Sequence, residues 1–133
     1  MYYIKFIMKN IFFKLIEYLY YLYFIVFLIL YLYPGSLIGY FLYGDLSKQP
    51  NIIDNPFDTS INHFLAFIFI TTLAEISNLR KRQIFTNIYF IFLLSIILET
   101  SHYIIPNRAF ELYDLLANIA GVLIIFLFKR IVE

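Results

Sequence analysis

The sequence predicts an all-α polytopic membrane protein: four transmembrane helices in a small bundle, with both ends in the cytoplasm. Three observations carry that expectation. Hydrophobic residues make up 62% of the chain and charged residues only 14%, whereas a water-soluble domain carries about a quarter charged residues. Long stretches hold no charge at all, as from Tyr18 to Gly44. The basic residues also cluster on alternate connections between those stretches. The mean hydropathy of +0.80 agrees with lipid as the surrounding solvent.

A length of 133 residues suits one domain. The net charge of +1 provides no basic field for nucleic acid, and no nucleic-acid partner is expected. Cysteine is absent, which excludes disulfides and thiolate chemistry. Tryptophan is absent too, so anchoring at the membrane surface falls to the 13 tyrosines and to Lys and Arg.

A hydrocarbon core ~30 Å thick needs ~20 helical residues. The first span is expected over about Leu15–Tyr33 and ends at Pro34-Gly35-Ser36, because proline has no amide donor. Lys5, Lys9 and Lys14 resemble the basic start of a signal peptide. The apolar run after them is too long for one and lacks a small-residue cleavage site, so an uncleaved span is expected. Ile38–Tyr43 should re-enter the membrane or lie at its surface. A polar loop follows from Asp45 to Asn62, with turn chemistry at Asp54-Asn55-Pro56. The second span is expected over about Asn62–Ser77, shortened by Glu75. The third covers about Gln83–Ile105, stopped by Pro106, and the fourth about Glu111–Phe128.

Eight of the ten basic residues fall on one side of this arrangement: Lys5, Lys9, Lys14, Arg80, Lys81, Arg82, Lys129 and Arg130. The positive-inside tendency then places both ends and the Arg80–Arg82 turn in the cytoplasm, with membrane lipid as the surrounding partner. An even number of spans is required, and four fit.

Ionisable groups inside a span cost a few kcal/mol or more, so they persist where they pair or where they work. His63, Glu99, His102, Arg108, Asp114 and Asn118 all fall near the outer face in this topology. Glu99 and His102 are i, i+3, while Asp114, Asn118 and Gly121 are i, i+4, i+7, so each set forms one stripe. Ala117 and Gly121 form a small-xxx-small pair that lets a neighbouring helix come close. Structural readings stand beside functional ones. His63 fits a core histidine beside an Asn62 cap. Asp114 suits a helix N-terminus, where the dipole favours an acid. Asn118 fits interhelical glue, and Arg108 fits a bridge to Glu99 or Asp114.

Metal binding has less support, and neither metal nor cofactor is expected. Glu99-x-x-His102 is half of the di-iron carboxylate pattern, which needs two such pairs and two further glutamates. His63 and Asp114 would complete only a mononuclear set. Phosphate-loop, HExxH and GxSxG signatures are absent. Ser36, Ser60 and Ser101 are the outer serines available to a Ser-His-Asp arrangement, and nothing in their context distinguishes them.

The segment from Leu98 to Gly121 resembles the VanZ-like family, whose C-terminal signature runs E-x-x-Q, then P-x-R-x-x-x-x-x-D-x-x-x-N-x-x-G. Glu99, Pro106, Arg108, Asp114, Asn118 and Gly121 match it in order, and His63-Phe64 matches the family's His-Phe at the start of the preceding helix. The resemblance spans about residues 59–128. His102 stands where the family has Gln, Thr59 where it has Asp (Asp58 is one position away), and Ile125 where it has a second Gly. The resemblance implies a small bacterial protein of the cytoplasmic membrane. Relatives are associated with low-level teicoplanin resistance and with cell-envelope or polysaccharide genes, and the family's biochemical activity is not settled.

Three roles follow as expectations. In the first, the outer cluster binds a lipid headgroup, a glycopeptide or an envelope or polysaccharide precursor, with Arg108 gripping a phosphate or carboxylate through its fork. In the second, a membrane enzyme uses His63 as general base with Glu99 or Asp114. In the third, an accessory subunit of an envelope or polysaccharide biosynthesis system uses the cluster only to hold its fold.

Overall fold

A computed structural model describes residues 2–50, 59–79 and 83–132, with side chains described from Ile7 onward. The described chain is helical with no strand: α1 (Tyr2–Leu32), α2 (Leu37–Tyr43), α3 (Ser60–Asn78), α4 (Ile88–Ser101) and α5 (Leu112–Val132). The Asp54-Asn55-Pro56 turn, Asp58 and the basic Arg80–Arg82 turn lie outside the described residues.

Helix α1 begins well before the expected Leu15, since nothing from Tyr2 to Lys14 breaks a helix, and it runs for 31 residues. Its end at Leu32 is where Pro34 requires it. Tyr20, Phe27 and Tyr31 recur at i, i+7 and i+11 and are buried. The opposite face, with Leu22, Ile25 and Ile29, is exposed. An apolar face turned outward on a helix this long is the pattern of a lipid-facing surface.

Helix α2 is a single seven-residue segment. Ser36 caps it by accepting from the amide of Gly39 at 2.9 Å. Gly44 closes it in the left-handed conformation, φ +69°, its amide donating to Tyr40 O. Helix α3 packs most extensively on α5 and next on α1. Helix α4 lies against α5 and touches α3 and α1 less. Thus α3 is the centre of the bundle.

Among the described residues, three helices are long and apolar enough to cross a membrane: α1 over Ile7–Leu32, α3 and α5. Helix α4 is shorter than the expected Gln83–Ile105 segment. It has 14 residues, about 21 Å at 1.5 Å each. Asn87 starts it, its side chain accepting from the amide of Tyr89 at 2.9 Å. Beyond Ser101 the backbone tightens into i→i−3 turns, with Tyr103 N bonded to Thr100 O and Ile104 N to Ser101 O. The helix therefore ends before Pro106 is reached, and Asn107 reverses the chain with φ +58°.

The α3–α5 contact explains the Ala117/Gly121 pair. A Cβ on Gly121 would lie 2.7 Å from Phe64 O and 2.9 Å from Phe67 Cβ, so the two backbones meet where only glycine fits. Ala117 shares a surface pocket with Ser60, Ile61 and Phe64 on the same seam.

A second set of polar contacts ties the other end of the bundle together. Lys129 pairs with Glu75 at 2.6 Å, so the acid that shortens the apolar part of α3 has its own cation. Asn78 Nδ2 donates to Thr86 O at 2.5 Å, Gln83 Nε2 donates to Glu17 at 2.8 Å, and Tyr20 donates to Phe85 O at 2.5 Å.

Candidate functional site

The expected outer cluster assembles from four helices and a turn, and its centre is a residue that the sequence did not single out. Tyr31, at the end of α1, places its hydroxyl 2.6 Å from His63 Nδ1 on α3. The same hydroxyl is 3.1 Å from Glu99 Oε2 on α4 and accepts from Asn118 Nδ2 on α5 at 2.6 Å. The signal that would have found it is the Tyr20-Phe24-Phe27-Tyr31 stripe, which marks the buried face of α1.

Asp114 lies in the first turn of α5, where the helix dipole favours an acid. Its Oδ2 is 3.3 Å from His63 Nε2, and its Oδ1 accepts from Ser60 Oγ at 2.5 Å. Ser60 therefore binds the acid rather than the imidazole, which is not a Ser-His-Asp order. Ser36 is spent as a helix cap, and Ser101 donates to Leu98 O at 2.6 Å.

Glu99 is fully buried. One of its oxygens, Oε1, accepts from the amide of Glu111 at 3.2 Å and is 3.3 Å from His102 Nδ1. The other nitrogen of His102 is 3.2 Å from Tyr31 O. Both His102 nitrogens thus face oxygen atoms. The ring also stacks on Tyr31, with centroids 5.2 Å apart and planes 16° from parallel. His102 accordingly holds Tyr31 and Glu99 in place.

Arg108 differs from expectation. It forms no ion pair with Glu99 or Asp114 among the described contacts. Its Nη2 donates to Leu30 O at 2.7 Å and its Nε to Tyr33 O at 3.2 Å. These are carbonyls at the end of α1, which have no amide partner within the helix. The guanidinium edge expected to grip an anion is instead a cap that joins the α4–α5 turn to α1. The Asn62 cap is also not formed: Thr59 occupies the cap position of α3 without a side-chain bond, and Asn62 Nδ2 donates to Pro50 O at 2.8 Å.

Buried polar groups are costly unless partnered, and this cluster meets that condition almost throughout. One atom stands out: Asn118 Oδ1 is buried without a hydrogen-bond partner among the described residues. The cluster also borders a cavity of about 240 Å³ between α1, α2 and α3. Phe27, Leu37, Ile38 and Ala66 make its apolar wall, and Tyr31, His63 and Arg108 line it as well.

The described residues form a helical protein with three membrane-length apolar helices, built around a largely buried network of acids, imidazoles and a phenol. No family model, curated protein or solved structure matches the chain, so its own residues carry the functional reading.

Proposed function

We propose that this is a VanZ-like integral membrane protein of the bacterial cytoplasmic membrane whose outer cavity binds an amphiphile: a membrane lipid or a lipid-linked envelope or polysaccharide precursor. The cavity carries this reading. Its lining is mostly apolar, with Asn62, His63 and Arg108 among its few polar side chains. A mostly apolar cavity with a few polar groups is the form of a site for a chain with a polar head. Arg108 serves it through the guanidinium hydrogens not directed at Leu30 O and Tyr33 O.

The topology proposed with it has four crossings and both ends in the cytoplasm. Helix α4 makes the third crossing together with its flanking turns. The asymmetry of Lys and Arg along the sequence supports this orientation, and α4 lies in the bundle against α5.

Native mass spectrometry of the full chain in mild detergent tests the binding role. Ala66→Phe fills the cavity from a wall position outside the polar network. The expected result is loss of a co-purifying lipid-sized adduct at unchanged thermal unfolding. An adduct kept at wild-type occupancy by a folded Ala66→Phe variant overturns the reading.

A second reading, a membrane enzyme, draws on one observation: His63 is oriented by Asp114 on one side and by Tyr31 on the other, as a general base requires. It predicts loss of envelope phenotype in His63→Gln at normal abundance. Full phenotype in that variant removes the base and the enzyme with it.

A further inference from the structure

We infer that His63, Glu99 and Asp114 form a binding site for one divalent transition-metal ion, with zinc as the first candidate. One imidazole nitrogen and one oxygen from each carboxylate lie within 4.8 Å of one another, brought together from α3, α4 and α5. One nitrogen and two carboxylate oxygens suit zinc, and an imidazole ligand disfavours calcium and magnesium.

The hydrogen bonds around the three side chains are arranged as a metal site requires. Each carboxylate has one oxygen held from outside: Oε1 of Glu99 by the amide of Glu111 and by His102, and Oδ1 of Asp114 by Ser60. The other oxygen of each is turned toward the His63 ring, Asp114 Oδ2 toward Nε2 and Glu99 Oε2 toward Nδ1 at 3.9 Å. The approach of Asp114 Oδ2 to His63 Nε2 is 3.3 Å. Two ligand atoms on a tetrahedral ion with bonds of 2.0–2.1 Å stand about 3.4 Å apart. His63 Nδ1 stands 2.6 Å from the hydroxyl of Tyr31. A proton on Nδ1 donated to that hydroxyl leaves the Nε2 lone pair facing Asp114 Oδ2. Tyr31 then passes its own proton toward Glu99 Oε2 at 3.1 Å. Such outer hydrogen bonds fix the tautomer of a ligating histidine.

Asn118 is fully buried beside the same atoms, and its Nδ2 donates to Tyr31 Oη at 2.6 Å and lies 3.4 Å from Glu99 Oε2, so α5 braces both the phenol and that carboxylate oxygen. His63 also lines the cavity, which leaves a coordination position open to water or to a bound molecule. Three protein ligands and one open position distinguish reactive zinc sites from structural ones. The inference stands whether or not the cavity binds an amphiphile.

The test uses the full chain, purified in detergent, freed of any affinity tag and stripped with a chelator. Zn²⁺ is titrated by calorimetry, with metal content measured after gel filtration. One zinc per chain is expected, weakened at least about tenfold in the ligand variants Asp114→Asn and Glu99→Gln and also in Tyr31→Phe, which removes an outer-shell hydrogen bond. Circular dichroism and monodispersity establish that each variant is folded. Because a buried-charge variant can fail to fold, Co²⁺ is added to the wild-type chain as a second measurement. Visible d–d absorption that Zn²⁺ bleaches at one equivalent supports the site. No stoichiometric zinc and no cobalt spectrum overturn it, leaving a network held by protons alone. Equal zinc binding by folded Asp114→Asn and Glu99→Gln overturns it as well, since the metal then sits elsewhere.

Discussion

The phenol of Tyr31 and the imidazole of His63 meet at 2.6 Å, edge to face, with ring centroids 5.2 Å apart and planes at 88°. This pair joins α1 to α3 at the depth where α4 and α5 contribute their own polar groups, so a single hydroxyl ties four helices together. Tyr31→Phe keeps the ring and removes that hydroxyl, leaving a buried donor on Asn118 without its 2.6 Å partner. The cost is expected at about 1–3 kcal/mol, read as lower thermal or denaturant stability in detergent. Tyr18, 70% exposed, supplies the control, and Tyr18→Phe should be near neutral.

Gly121 tests the α3–α5 seam. Gly121→Ala places a methyl group 2.7 Å from Phe64 O and 3.1 Å from Ile68 N, both backbone atoms that cannot swing aside. Separation of the helices should cost about 1–3 kcal/mol, seen as reduced membrane abundance and a lower unfolding midpoint. Wild-type stability in this variant would mean that the two helices pack less closely than described.

Arg108 distinguishes a cap from a pure ligand-binding residue. Its guanidinium satisfies carbonyls of Leu30 and Tyr33 through two different nitrogens. Arg108→Ala should lower stability even in protein free of bound lipid, by about 1.5–3 kcal/mol for charge-assisted bonds. Arg108→Lys should recover part of that, because one ammonium cannot reproduce a two-nitrogen fork. Unchanged stability in lipid-free Arg108→Ala would leave the arginine with a binding role only.

The Glu75–Lys129 pair should behave differently. The Lys129 side chain is 38% exposed and that of Glu75 13%, so solvent or headgroups screen the contact. A double-mutant cycle with Glu75→Gln and Lys129→Met should give a coupling of about 0–1 kcal/mol. A coupling of several kcal/mol would place the pair in a drier setting than its exposure indicates.

Much of the architecture was legible in the residue pattern because hydropathy, proline and helical period record it. Pro34 ended α1, and the stripe Asp114-Asn118-Gly121 became the buried face of α5. The outer cluster was legible for the same reason, since an ionisable group in an apolar span is conspicuous. Tyr31 stood out less, because tyrosine is frequent in this chain and only the helical stripe Tyr20-Phe24-Phe27-Tyr31 marks it. The length of α4 was not either: the choice between an α-helical and a tighter turn after Ser101 is made by contacts that periodicity does not record.

The sequence by itself determined that the chain is helical, that its spans are apolar, and which polar residues stand out within them. These follow from one-dimensional quantities: hydropathy, helical period, proline and glycine positions. Only the tertiary structure decided who pairs with whom. His63 faces Asp114 and Tyr31, His102 braces Glu99, and Arg108 caps α1 rather than bridging an acid. Such choices depend on how four helices rotate and slide against one another. That arrangement is set by the close approach at Gly121 and by the cost of leaving a buried polar group without a partner.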